Sequence, residues 1–443
     1  MPPKLALLIC ILFILYILWM DRKNIDGVSK AIWIPMIWML IASSRFISHW
    51  LNLGTPVMST DIEGSPLDRA VFLILMYAGV IILIRRRLNL GALFINNSWL
   101  WLFFTYCAAS IIWSEYPYIS MKRWGKALGN LIMVLVILTE QRPYEAVGII
   151  LRRIAILLLP LSVLFIKYYP HLGRVYHMGF PLFTGVADHK NGLGQICLVS
   201  GIYFSWNLIL NHSDIHKIGR PHLLNSLIIL FILFWLLYKA NSATSLICII
   251  IAVVLFAVGR LPAMARKPRR IITLAIACTV VFWVLNITFE LSKIVITTLG
   301  RRPDLTNRVP MWNYLIDMVK NPIIGFGYGS FWLGGRKDLI GERWGIAGQA
   351  HNGYLQVYLD LGFIGLFILV GWIISGLKKV ANHLSIDYPA AMLRLCFIVV
   401  VVFYNWTEAT FYGVSLMWSL FIMGFMDIPS HDTGTVAERM MQG

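Results

Sequence analysis

The sequence predicts an all-α polytopic membrane protein with about 12–13 transmembrane helices and one long polar loop carrying short surface helices. Three observations lead there. Of the 443 residues, 58% are hydrophobic and 13% charged, whereas soluble domains carry roughly a quarter charged residues. Apolar runs able, with their flanks, to cross a hydrocarbon core that needs about 17–25 residues recur along the whole chain. The runs are continuous rather than alternating, so helices rather than barrel strands satisfy their backbone groups in lipid. These features exclude a soluble globular enzyme.

In chain order the expected span cores are residues 5–20, 31–44, 70–84, 98–113, 126–139, 147–166, 192–210, 223–238, 245–258, 271–289, 361–377, 390–403 and 411–426. The first reads as a retained anchor, because its leading segment holds only Lys4 and no small-residue cleavage site precedes Asp21. No solenoid-type repeat or low-complexity linker divides the chain, so residues 1–443 are expected to form a single integral membrane domain. Cys10, Cys107, Cys197, Cys248, Cys278 and Cys396 fall inside the spans without metal-type spacing, as small apolar packing residues do.

Charge sets the orientation. A net charge of +17 would suggest nucleic acid in a soluble protein, but here much of it sits beside short connections between spans, and no nucleic-acid partner is expected. Arg22, Lys23, Arg85 to Arg87, Arg152, Arg153, Lys217, Arg220, Arg266, Lys267, Arg269, Arg270, Lys378 and Lys379 share one side when the spans alternate. By the positive-inside rule that side is the cytoplasm. Residues 290–351, too long for a simple connection, then face the periplasm as a loop with a function of its own.

Within this loop Asn307 is expected to cap a short surface helix whose apolar side is Val309, Met311, Trp312, Leu315, Ile316, Met318 and Val319, ending at Asn321 and Pro322. Gly325, Gly327 and Gly329 follow. Alternate glycines allow close backbone approach, and packing is favoured over phosphate binding because no strand precedes them.

The same orientation leaves Lys122, Arg123, Lys126, Arg174, Lys190, Arg301, Arg302, Arg308, Arg336, Lys337 and Arg343 on the periplasmic side, against the rule. Lipid headgroups, or carboxylates such as Glu115 and Asp188, would account for single members. As a set, with Arg301, Arg302, Arg308 and Lys190 foremost, they fit a pyrophosphate at the membrane surface. His351, at the far end of the loop, is an imidazole placed to take a proton from a hydroxyl nucleophile. His189, between Asp188 and Lys190, is the second choice; His171 and His177 have less in their favour. For a sugar donor linked to lipid pyrophosphate, the cations would steady the departing group while His351 deprotonates the acceptor, with inversion at the anomeric carbon. The periplasmic loops hold no Asp-x-Asp and the chain no P-loop, so a metal-independent, cofactor-free reaction driven by an activated donor is expected.

The segment His351-Asn352-Gly353-Tyr354-Leu355, continuing through Asp360 to Gly362 and Gly365-Leu366, resembles the signature of the O-antigen ligase and polysaccharide polymerase superfamily. Upstream, Gly300-Arg301, Asp304-Leu305-Thr306-Asn307-Arg308, Trp312, Pro322 and the glycine run into Phe331-Trp332 are similar to its loop pattern. Ile112-Trp113-Ser114, Pro160, Ser162, Thr184-Gly185-Val186 and His189-Lys190-Asn191 are similar to its exopolysaccharide-production branch. Asn307 stands where Gly is commoner, and Asp360 where Glu is commoner; Asp360 keeps a carboxylate that can orient His351.

This resemblance spans about residues 113–418. It implies a GT-C-like glycosyltransferase of the bacterial inner membrane, surrounded by membrane lipids and active on the periplasmic face. Its donor would be an undecaprenyl-pyrophosphate-linked oligosaccharide and its acceptor a glycan or lipid A core. Catalysis would fall to His351, Arg308 and Arg301, and substrate contacts to Lys190, His189, Arg174, Arg302, Asn352 and Tyr354. The His189-Lys190-Asn191 segment favours a polymerase over a ligase, and a chain-length regulator stays open as a partner. The reading from another class is a flippase for lipid-linked sugars. That would want charges along an internal cavity and helices broken near the midplane, whereas here the cations gather at one surface.

Overall fold

The computed structural model describes residues 1–21, 27–51, 64–177, 179–210, 220–289, 308–345, 348–411 and 413–428. Arg301, Arg302 and Asn307 lie outside them. A helix stands at each expected span: α1 (Pro3–Asp21), α2 (Trp33–Ser43), α3 (Pro66–Arg85), α4 (Ser98–Ala109), α5 (Pro117–Leu138), α6 (Pro143–Tyr168), α7 (Lys190–Ile209), α8 (Arg220–Ala240), α9 (Ala243–Gly259) and α10 (Arg269–Phe289). Two short loop helices follow, α11 (Arg308–Asp317) and α12 (Gly335–Trp344), then α13 (Gly353–His383), α14 (Tyr388–Tyr404) and α15 (Leu416–Phe425). Among the described residues, 5 helices (α1, α3, α6, α7 and α13) are long and apolar enough to cross a membrane by length and composition; several others are shorter apolar helices. The protein is an all-α polytopic membrane protein.

The apolar helices sort by position. Every residue of α15 is buried, and α14 is buried on nearly all sides; a helix that is apolar all round needs such a place or lipid. Trp372 of α13 meets Trp418, Phe421 and Phe425 of α15 at ring distances of 5.5, 5.1 and 6.0 Å. By contrast α1 and α3 turn Leu8, Leu12, Leu15, Trp19, Leu73, Ile74 and Tyr77 outward, the surface that hydrocarbon would cover. One departure from helix is an antiparallel hairpin between α6 and α7, β1 (Arg174–His177) with β2 (Phe180–Phe183). Its aromatic and β-branched residues suit strands, and Gly179, at φ +81°, supplies part of the turn.

The connections segregate to two ends of the bundle. At one end Arg45 is 3.6 Å from Asp188, Arg336 is 2.7 Å from Glu115, and Asn191 donates to Glu408. At the other, Arg86 pairs with Glu140, Arg394 is 2.7 Å from Asp427, and Tyr388 donates to the Gly259 carbonyl. This is the alternation the charge pattern predicts. Arg152 and Arg153, within the expected span 147–166, stand inside α6, where Arg152 reaches the buried Asp21 at 2.7 Å and Arg153 packs its guanidinium over Trp33.

The long loop folds onto α13. The apolar side expected of its first helix is divided: Met311 and Leu315 of α11 join a small core with Phe331, Trp332, Ile340 and Leu359, while Val309 and Ile316 stay exposed. The loop's own core, rather than lipid alone, therefore receives that side, and α11 ends at Asp317, short of Asn321. The following helix begins before the span core expected at 361. It starts at Gly353, and its ladder breaks at Gly362, which sits at φ +64°, ψ −163°.

Loop backbone fills the break. Phe326 and Gly327 N–H groups donate to the Leu359 and Asp360 carbonyls at 3.0 and 2.8 Å. Phe363 and Ile364 N–H groups donate to the Pro322 and Ile323 carbonyls at 2.9 and 3.2 Å. In an unbroken helix Phe363 and Ile364 would have bonded to Leu359 and Asp360 themselves. The loop thus satisfies both sides, as a low-dielectric setting requires. The expected packing role of the glycines follows directly, since a Cβ at Gly325 would lie 2.7 Å from the Asp360 carbonyl.

Alanine at Gly362 would drive its Cβ into the Ile323 backbone at a conformation that L-residues avoid. Strain in that region costs roughly 1–3 kcal/mol before the clash is counted. Gly362→Ala is expected to lower the thermal midpoint of the purified protein and its yield. A midpoint equal to wild type would show that the break is not fixed by this residue.

Candidate active site

His351 stands immediately before α13 with its backbone in the left-handed region, φ +50°. For an L-residue this costs roughly 1–2 kcal/mol, so its neighbours must hold it. They do so from both sides. The Ala350 N–H donates to Gln356 Oε1 at 3.2 Å, and the Ala350 carbonyl accepts from Trp312 Nε1 at 2.8 Å. Gln356 is fixed in turn by Trp332 Nε1, at 2.8 Å, and by donation to Asp360 Oδ2 at 3.1 Å; Asp360 Oδ1 takes the Phe331 N–H. The carboxylate at Asp360 therefore acts on His351 at second hand, through an amide and a peptide.

On the other side, Asn352 caps α13, its Oδ1 accepting from the N–H groups of Tyr354 and Leu355. The Gly353 N–H donates to the Asn405 carbonyl at 2.7 Å. Tyr354 donates its hydroxyl to the Val402 carbonyl and packs against Phe411. Asn352 Oδ1 and the Tyr354 hydroxyl, in residues expected at the substrate, thus make scaffold bonds.

The imidazole faces a residue that sequence reasoning missed. His351 Nδ1 lies 3.5 Å from Oε2 of Glu408, whose side chain is only 9% exposed. Glu408 Oε1 accepts from Asn191 Nδ2 at 2.8 Å and lies 3.6 Å from Arg308 Nη2. Arg308 also donates to the Thr407 carbonyl. Burial pushes the Glu408 carboxyl up, but contact with His351 and the charges of Arg308 and His351 outweigh it and hold the group below the usual carboxylate range. Glu408 stays ionised at neutral pH. A single carboxylate in the short interval between two apolar segments was the available signal, since such residues are expensive in a membrane and seldom idle.

The other expected residues distribute around this centre. His189 caps α7 through Nδ1, which accepts from the Gly192 N–H at 2.7 Å. It also lines a cleft of about 270 Å³ together with Asp188, Asn191, Gln195, Gln349 and Glu408. Lys190 is the first residue of α7. Arg174 lies apart from the contacts of this centre: its guanidinium donates to the Ile166 carbonyl at 2.9 and 2.7 Å and rests over Phe183. Arg123 and Arg336, two of the wrong-side cations, tie the loop down through the Gly329 carbonyl and Glu115. Among the described residues, no group of three His, Cys, Asp or Glu side chains could hold a metal ion.

The bundle thus sets a held histidine against a buried, ionised carboxylate where its connections gather. Residues 228–370, the stretch containing Arg308 and His351, match the O-antigen ligase family. The exopolysaccharide production protein ExoQ of Rhizobium meliloti is 25% identical over 314 residues, covering 67% of this chain and 68% of that protein. A Rickettsia felis protein named "Putative polysaccharide ligase" is 26% identical over 254 residues, 55% of this chain and 58% of that protein. Its Rickettsia prowazekii namesake is 24% identical over 345 residues, 74% of this chain and 80% of that protein. The chain is thus similar to the O-antigen ligase family over residues 228–370 and, at 24–26% identity, to proteins named for exopolysaccharide production and polysaccharide ligation.

Proposed function

We propose that the protein is an inverting, metal-independent glycosyltransferase that polymerises oligosaccharide from an undecaprenyl-pyrophosphate donor on the periplasmic face of the inner membrane. The observation that carries this reading is the His351–Glu408–Arg308 cluster. The Glu408 carboxylate faces Nδ1 of His351 and favours a proton there, leaving Nε2 to act as base. In the displacement the acceptor oxygen forms its bond to the anomeric carbon while the bond from that carbon to the pyrophosphate oxygen breaks. The acceptor proton passes to His351, and the imidazolium that results is stabilised by Glu408. The electron pair of the broken bond leaves on the pyrophosphate, to be met by Arg301, Arg302 and Lys190. Arg308 steadies Glu408 and has further N–H donors for the leaving group.

The test is transfer by purified protein in nanodiscs. Given the lipid-linked oligosaccharide and a second lipid-linked repeat, it should lengthen chains, with or without a strong chelator. Product on lipid A core instead would favour the ligase reading, and activity lost to the chelator and restored by magnesium or manganese would overturn metal independence. Neither product would favour the flippase. Against that last reading, the broken helix at Gly362 is filled by the chain's own backbone and so offers no open carbonyls to a passing substrate.

Orientation has its own measurement. In a background without the native cysteines, Asp338→Cys on α12 should react with an impermeant thiol reagent on intact spheroplasts, and Ala265→Cys should not. Labelling at Ala265→Cys alone would invert the topology.

A further inference from the structure

We propose that the cleft beside Glu408 is the subsite for the terminal sugar of the acceptor glycan, a role that rests on the glycosyltransferase reading above. Its lining is chosen for hydroxyl groups. Asn191 and Gln195 stand one turn apart on α7, Gln349 lies just before His351, and Asp188 and Glu408 supply carboxylates. Amides donate and accept, and carboxylates accept, which is the set that vicinal sugar hydroxyls need. Among the described residues no lysine or arginine lines the cleft.

That lining is wrong for pyrophosphate. An anion seeks cations or free N–H groups at a helix start. Here two carboxylates occupy the wall, and the α7 start is closed by the His189 cap on the Gly192 N–H. The volume adds a limit. About 270 Å³ is just below the roughly 300–1,000 Å³ of ordinary small-molecule sites, so the cleft takes one sugar ring rather than a repeat unit. Glu408 lines the cleft and lies 3.5 Å from His351, so a sugar bound there sits one side chain away from the imidazole.

The experiment measures binding without turnover, so that an error in the base assignment cannot be mistaken for an error here. The probes are the repeat-unit oligosaccharide released from its lipid pyrophosphate, inorganic pyrophosphate, and the intact lipid-linked donor, each titrated onto the full-length protein in nanodiscs. Gln195→Leu should weaken the released oligosaccharide about tenfold, the loss of one hydrogen-bonding amide to hydroxyl groups. It should leave the donor dissociation constant unchanged. Gln195→Asn should fall between, and serves as the test should the leucine variant fail to fold. Unaltered oligosaccharide binding in a folded variant would overturn the proposal. Weakened donor binding, or pyrophosphate that competes with the oligosaccharide, would overturn it too and give the cleft to the donor.

Discussion

His351→Ala abolishes turnover while leaving donor affinity within about twofold of wild type, because a base acts on the transition state and contributes little to the ground state. General-base catalysis is worth roughly 10²–10⁴-fold, and loss within that range or beyond is the expected size. The surrounding fold should persist. The bonds that position this stretch run through the Ala350 backbone, Asn352 and Gln356, and none uses the imidazole. His351→Asn, which tolerates the left-handed backbone better than alanine, should be equally inactive and so separates chemistry from strain. The measurement pairs donor titration with single-turnover rate. Near-normal turnover by a folded His351→Ala protein would remove this residue from the mechanism and make His189 the first replacement to test.

Arg308→Ala is expected to be the most damaging single change to both stability and function. It strips a buried carboxylate of its cation, and breaking such a pair costs roughly 3–5 kcal/mol. Donor binding and turnover should fall together, since the arginine steadies Glu408 before reaction and the leaving group during it. Arg308→Lys should lose less, because the charge remains while the fork that reaches both Thr407 and Glu408 is gone. Adding Glu408→Gln to Arg308→Ala should restore much of the thermal midpoint without restoring activity.

The pH dependence carries a sign. The Glu408 carboxyl is depressed in the folded state, so its contribution is present above the unfolded carboxylate value of about 4.3 and is lost as pH falls through the lower folded value. Removing Arg308 weakens the depression, so the acid-dependent loss of stability contributed by Glu408 should become smaller and be complete at a higher pH. Melting curves of both proteins across the acid range would show it. Coincident pH profiles would mean that Arg308 does not support Glu408.

Much of the fold was legible because hydropathy writes it plainly: each of the apolar runs from 5–20 to 411–426 holds a helix. The glycine run was legible as packing, for Gly325 and Gly327 need positive φ and room for a neighbouring backbone. What escaped were pairings between distant segments. Glu408 is a lone carboxylate in a short connection, and only folding brings it to Arg308 and Asn191. Arg45, which braces Asp188 and the Ala187 carbonyl, escaped for the same reason. Asn352 and Tyr354 sit in the signature and also serve the scaffold, Asn352 as the cap of α13 and Tyr354 through its bond to the Val402 carbonyl, because a signature records the demands of folding as well as those of chemistry.

The interruption at Gly362 divides one long rod into two bodies with different allegiances. The part from 363 onward belongs to the bilayer and will follow its thickness and tilt. The turns from Gly353 to Leu361 are instead moored to the extramembrane loop by the bonds from Phe326 and Gly327. His351 is therefore joined to the loop and to the end of α14, not to the rod beyond Gly362. A membrane that thins, thickens or bends can tip that rod without pulling directly on the turns that lead from His351.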